Sequence, residues 1–309
     1  MENVLVIKNL SKRFGSHQVI DDISLEIKSN TVLGFLGNNG AGKTTTMKMI
    51  LGLMKPDAGE IYVCGEKVRY GDTKTNKNIG YLPDVPAFYS YLTPREYLRF
   101  CAEITSVPKQ EREQKIIELL EFVGLSKKAN KKIKGFSRGM KQRLGIAQAL
   151  INEPKLLICD EPTSALDPVG RVEILDILHN ISEKTTVIFS THILSDVERI
   201  CDNVAMLNEG KIALSGSITE LKSSYHYDQI QIRFLNQQDK DRISDLLKQN
   251  ESIQIVSEEN QEIIVQTASE ASKAGGMLME MFHKERIIPK HFEIMEPSLE
   301  NLFMKFYDK

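Results

Sequence analysis

Tryptophan is absent from the 309 residues, cysteine occurs four times and proline ten times. Cys64, Cys101, Cys159 and Cys201 are scattered, with no C-x-x-C pair and no zinc spacing. They read as small buried hydrophobes in a reducing compartment. Long apolar runs are missing as well: none approaches the roughly 18 residues that a membrane helix needs, and no charged-then-apolar signal segment opens the sequence. The chain is therefore expected in the cytoplasm, with any membrane role supplied by a partner. Neither sign of charge dominates. Lys and Arg total 40 against 42 Asp and Glu, giving a net charge of −2 and a pI near 6.4, so no nucleic-acid partner is expected. The run Lys127, Lys128, Lys131, Lys132 and Lys134 reads as a solvated face. What remains is a globular composition, 41% hydrophobic and 27% charged, long enough for two domains.

Against this plain background, Gly37-Asn38-Asn39-Gly40-Ala41-Gly42-Lys43-Thr44 fits the pattern of a glycine, four residues, then Gly-Lys-Thr. The apolar run Val32 to Leu36 before it reads as a buried strand, and Met47, Ile50, Leu51 and Met54 after it share one helical face. In that context the glycines let successive N–H groups point inward, and the helix adds its positive end, making a cradle for phosphates. Lys43 would reach the outer phosphates, the Thr44 hydroxyl would ligate Mg²⁺, and Thr45 continues the nucleotide-binding run. The bland alternative is a glycine-rich turn with an accidental Lys-Thr. A dinucleotide site would need G-x-G-x-x-G, which the glycine spacing does not match.

Residues 4–7 and 23–27 read as strands joined by Ser11 to Gly15, where Phe14 either lies against a purine ring or belongs to the core. Glu60 to Cys64 is a further strand, and Ile79-Gly80-Tyr81-Leu82-Pro83-Asp84 a short one ending at a proline. Thr93-Pro94-Arg95-Glu96 has the form of an N-cap, N1 proline and capping box, and 94–125 read as a helical insertion. Ser137 opens a helix with Met140, Leu144, Ala147 and Ile151 on its apolar face. It is either an ordinary capped helix or a second anion site, formed by the Ser137 hydroxyl, the Gly139 amide and the helix dipole.

Leu156 to Cys159 is an apolar strand that runs into Asp160 and Glu161. Carboxylates at the end of a buried strand are costly unless a cation or hydrogen bonds compensate them. Asp160 is therefore expected to hold Mg²⁺, directly or through water, and Glu161 to orient and deprotonate an attacking water. Asp167 and Pro168 read as N-cap and N1 of a helix carrying Ile174, Ile177, Leu178 and Ile181. Thr186 to Ser190 is the next buried strand, and His192 beyond it either donates to a γ-phosphate oxygen or is a structural hydrogen-bonder. Farther on, strands at 229–234, 253–256, 263–266 and 287–295 alternate with helices at 240–248 and 268–283, before a last helix from Ser298. That order suggests a small ferredoxin-like α+β module.

Together these motifs resemble the ATP-binding cassette (ABC) ATPases, of the bacterial exporter type that includes antibiotic-resistance and lantibiotic-immunity members. Gly37–Thr44 looks like Walker A, Leu156–Glu161 like Walker B with its catalytic glutamate, and Ser164–Asp167 like the D-loop. His192 looks like the switch histidine, Phe14 occupies the adenine-stacking position, and Phe136-Ser137-Arg138-Gly139-Met140 looks like the LSGGQ signature. Two positions depart from the pattern: Arg138 stands where the first signature glycine belongs, and Asp84 where the Q-loop glutamine belongs. An ionised Asp84 could contact Mg²⁺ or its water but cannot donate a hydrogen bond.

The resemblance implies an α/β P-loop nucleotide-binding domain over 1–221, with a helical subdomain at about 85–150, and an accessory domain over 222–309. It further implies ATP and Mg²⁺, catalytic Glu161 and His192, and a head-to-tail pair of cassettes in which Ser137, Arg138, Gly139 and Met140 of one face the Walker A loop of the other. Hydrolysis would drive a separately encoded membrane permease, in the direction of export, from the cytoplasmic face of the membrane. The other class open to such an ATPase acts on ribosomes or DNA. Members of that class carry paired cassettes, long coiled coils or zinc-binding cysteines, and this sequence has one cassette and neither of the other two.

Overall fold

Every position of Val32–Leu36 is buried, because this run is a central strand of a sheet covered on both faces. The computed structural model describes residues 2–295 and 299, except 73, 225–228, 249, 251 and 268–270. It divides into two units, Met1–Ile218 and Thr219–Lys309.

The first unit begins with β1 (Asn3–Phe14) and β2 (His17–Lys28), a long antiparallel hairpin, followed by β3 (Val32–Leu36) and α1 (Lys43–Ile50). The residues expected to join two short strands, Ser11 to Phe14, are themselves strand. Left-handed Asn9 and Asp22 and several register shifts break the period-two alternation by which a strand is read. α1 also stops sooner than its apolar face suggested: Leu51 is its C-cap, and Gly52 follows with φ 68°. Met54 lies beyond the helix and packs on the core from there.

Next come β4 (Ala58–Val63), β5 (Glu66–Lys67) and β6 (Ile79–Leu82), then α2 (Pro94–Ile104), α3 (Lys109–Phe122) and α4 (Arg138–Leu150). Thr93 caps α2 in a full capping box, as its sequence indicates. The unit is completed by β7 (Leu156–Asp160), α5 (Pro168–Ile181), β8 (Thr186–Thr191), α6 (Leu194–Ile200), β9 (Asn203–Asn208) and β10 (Lys211–Ser217). α7 (Ile218–Ser224) follows.

The main sheet has the order β10-β9-β3-β8-β7-β6, parallel except for β10. A second, antiparallel sheet has the order β2-β1-β4-β5. Leu5 and Ile7 of β1, Met47 and Ile50 of α1, and Phe35 and Ile158 of the main sheet share one core, which fixes α1 against both sheets. The carboxyl ends of β3, β7 and β8 thus come out side by side. Open α/β sheets bind ligands at that edge.

The second unit runs β11 (Gln229–Arg233), α8 (Gln237–Leu247), β12 (Ile253–Glu259), β13 (Glu262–Thr267), α9 (Ala271–Glu285) and β14 (His291–Ile294). Its antiparallel sheet has the order β12-β13-β11-β14, which is the ferredoxin-like arrangement. Ile230, Ile232 and Phe234 meet Leu278 and Phe282 in a separate core. The helix expected from Ser298 lies outside the described residues apart from Leu299. No helix among the described residues is long and apolar enough to cross a membrane.

Candidate active site

The loop after β3 turns into α1 at Gly42, whose φ of 109° favours glycine, and where a Cβ would crowd Ile20 Cδ1 at 2.4 Å and the Val19 carbonyl oxygen at 3.0 Å. No side chain caps α1, and its first turn carries no acidic residue, so its N-terminal amides keep their attraction for an anion. Lys43 is buried. Its ammonium donates to the Gly37 and Asn38 carbonyls at 2.6 and 3.3 Å and faces Glu161 Oε1 at 3.4 Å.

β7 delivers Asp160 to the same place. One of its oxygens accepts from the Thr44 hydroxyl and the other from the Ser190 hydroxyl, both at 2.7 Å. Glu161 leaves the strand in a left-handed conformation, φ 47°, a strain of order 1 kcal/mol for a residue with a Cβ. Its N–H is held by the Ser190 carbonyl at 3.1 Å and the Ser190 hydroxyl at 3.0 Å. The turn aims the carboxylate back over the loop. Oε2 lies 3.0 Å from His192 Nδ1, while Oε1 accepts no hydrogen bond from the described residues. Burial, reinforced by the charge of Asp160, pushes the Tyr81 hydroxyl up to about 12, so it stays a neutral neighbour.

A cavity of about 260 Å³ collects these groups: Asn38, Asn39, Gly40, Gly42, Lys43, Thr44, Thr45, Asp84, Asp160 and Glu161 line it. Asp84 is tied to α4 by Gln142, whose amide donates to its carbonyl at 2.8 Å, and by Arg138, 3.1 Å from its carboxylate. The other expected residues lie outside the cavity. Ser137 caps α4, accepting from Met140 N at 3.3 Å, and Gly139 sits in the first turn of that helix. Asp167 caps α5 through Gly170 N at 3.3 Å. Phe14, at the end of β1, is 47% exposed with the Lys12 ammonium 5.4 Å from its ring centre, so it is not core.

Ser190, Gln142 and the Asp84–Arg138 pair were not picked out from sequence. Ser190 is a hydroxyl within the buried run Thr186–Thr191, and it is the sheet register, pairing it with Asp160, that brings it into the site.

Among the described residues no cluster of three or more His, Cys, Asp and Glu forms a metal site. One hydroxyl and one carboxylate beside the Gly37–Thr45 loop instead suit a hard cation that keeps most of its waters, as Mg²⁺ does.

The family model described as ABC transporter matches residues 20–164, and that of the ATP-binding protein DrrA1-3-like C-terminal domain matches residues 216–307. The ABC transporter ATP-binding protein YxlF of Bacillus subtilis, itself uncharacterized, is 38% identical over 302 residues, covering 98% of this chain and 99% of its own. The chain belongs to the ABC transporter ATP-binding proteins. Two further members are similar over nearly the whole length. The bacitracin transport ATP-binding protein BcrA of Bacillus licheniformis is 36% identical over 99% of this chain and 97% of its own. The linearmycin resistance ATP-binding protein LnrL of B. subtilis is 32% identical over 97% of each.

Among solved structures, an ATP-binding subunit of an ABC transporter superposes with a TM-score of 0.65 at 32% identity, covering 72% of this chain and 92% of that one. The cassette MJ0796, in a dimeric post-hydrolysis state with ADP and Pi, gives 0.62 at 27%, covering 69% and 98%. This ABC protein is thus an ATPase, the ATP-hydrolysing subunit of a transporter. ABC subunits of this kind dimerise and work with membrane permease subunits.

Proposed function

We propose that residues 1–221 form the nucleotide-binding domain, with 85–150 as its helical subdomain and 222–309 as an accessory domain, and that the cavity at Gly37–Thr45 is where ATP is cleaved. The amides of residues 38–45 and Lys43 bind the phosphates, and Phe14 stacks on the adenine. Thr44 and Asp160, with Asp84, hold Mg²⁺ beside them, where the ion supplies charge neutralisation. Glu161 takes the proton of the attacking water: its Oε1 accepts no hydrogen bond from the described residues and faces the Lys43 ammonium at 3.4 Å, while His192 fixes the other oxygen. His192 can hold Glu161 through Nδ1–H and donate to phosphate from Nε2–H only as the imidazolium.

Ser137, Arg138, Gly139 and Met140 meet the nucleotide of a second cassette, and Asp167 lies at that junction. The dimer and its permease place the chain at the cytoplasmic face of the membrane. The relatives named for bacitracin transport and linearmycin resistance support export of an antibiotic.

One observation carries the hydrolytic assignment: Lys43, Thr44, Asp160, Ser190, Glu161 and His192 form one connected set across the ends of β3, β7 and β8. Glu161→Gln keeps the shape and removes the base. Its kcat for ATP falls at least about 100-fold, the scale of general-base catalysis, while nucleotide affinity is retained. Steady-state hydrolysis beside equilibrium binding checks this, and wild-type turnover would reject Glu161 as the base.

A further inference from the structure

Asp84 is gripped twice by one face of α4. Gln142 binds its carbonyl and Arg138 its carboxylate, and the two are four residues apart on the helix, so they reach from the same side. The first grip is the buried one. Gln142 is fully buried, and α4 is seated on β6 through glycines: a Cβ on Gly80 would lie 2.2 Å from Ala149 O, and one on Gly145 2.5 Å from Leu82 Cδ1. The second grip is not permanent. The Arg138 and Asp84 side chains are 42% and 47% exposed, and an ion pair in water opens at little cost. Because Asp84 also lines the cavity with Lys43, Thr44 and Asp160, its carboxylate faces two rival cations. One is the guanidinium on α4, and the other is whatever cation accompanies the phosphates.

We infer that the Asp84–Arg138 pair is a latch that Mg-nucleotide opens. The carboxylate rests on Arg138 and passes to Mg²⁺ or its water when nucleotide enters, which leaves a free positive charge beside the Ser137 cap. Arg138 is then a positioning residue, acting on its own chain's nucleotide site through Asp84. Because Gln142 keeps the backbone of residue 84 in place, the exchange needs only a side-chain rotation, and α4 registers it as a change of charge at its first residue. The inference rests on the cavity being the Mg-nucleotide site.

The test measures affinity for a non-hydrolysable ATP analogue, with Mg²⁺ and with EDTA, on the full chain at a concentration where it is monomeric. In Arg138→Ala affinity with Mg²⁺ rises about two- to fivefold, the worth of an exposed ion pair. Affinity in EDTA is unchanged, since only the cation draws Asp84 away. Arg138→Lys keeps the charge and gives a smaller rise than Arg138→Ala, and in an Asp84→Asn background Arg138→Ala no longer raises the Mg²⁺ affinity. The latch is overturned if Arg138→Ala leaves or lowers the Mg²⁺ affinity, shifts both conditions equally, or acts equally in the Asp84→Asn background. A native chain whose analogue binding neither depends on Mg²⁺ nor weakens in Lys43→Ala would overturn the nucleotide-site reading itself.

Discussion

Ser190 joins the two acidic residues at the end of β7. Its hydroxyl donates to Asp160 and accepts from the Glu161 amide, so one oxygen fixes both the carboxylate beside Thr44 and the turn that aims Glu161. Ser190→Ala leaves Asp160 short of a buried hydrogen bond and Glu161 held only by the Ser190 carbonyl. The expected result is a kcat lowered about 10- to 100-fold with ATP affinity within about threefold of native, the pattern of a misplaced group rather than a lost ligand. Hydrolysis and equilibrium binding on the same preparation decide it. Asp160 and Glu161 were legible in the sequence because charge at the end of a buried strand has to be compensated. Ser190 was not, because a serine within an apolar strand is cheap to bury once hydrogen-bonded. The Asp84–Arg138 contact was not legible either, since nothing local relates positions 54 residues apart.

The seam between β6 and α4 is as tight as the fold allows. A Cβ added at Gly80 would lie 2.2 Å from the carbonyl oxygen of Ala149, and that backbone oxygen cannot move aside as a flexible side chain would. Gly80→Ala is therefore expected to destabilise the chain by about 1–3 kcal/mol, the usual cost of overpacking, and thermal unfolding reads this as a lower Tm. Elements whose ends carry their own chemistry were readable from sequence, α2 with its capping box and α4 and α5 with Ser137 and Asp167 at their N-caps. In the β1–β2 hairpin bulges shift the buried face along the strand, so alternation reveals only part of its length. In α1 apolar residues continue past the C-cap, so periodicity alone does not mark where the helix ends.

Each unit carries its own core, so damage is expected to stay local. Phe234 is fully buried and packs edge-on against Phe282, with ring centres 6.1 Å apart. Phe234→Ala should cost about 3–5 kcal/mol in the unit from Thr219 onward, while the first unit keeps its affinity for ATP. Calorimetry together with nucleotide titration separates the two effects.

The strand that leads into the Gly37–Thr44 loop has a further consequence, for synthesis. β3 pairs Val32 with Val187 and Leu33 with Asn203, so both its neighbours are made more than 150 residues after it. At about 5–20 residues per second, this strand waits on the order of ten seconds or more before its sheet can close around it. Until then Gly37–Thr44 has no partner strands to shape it. A ribosome-bound chain should gain nucleotide affinity abruptly, only after β9 has emerged from the exit tunnel.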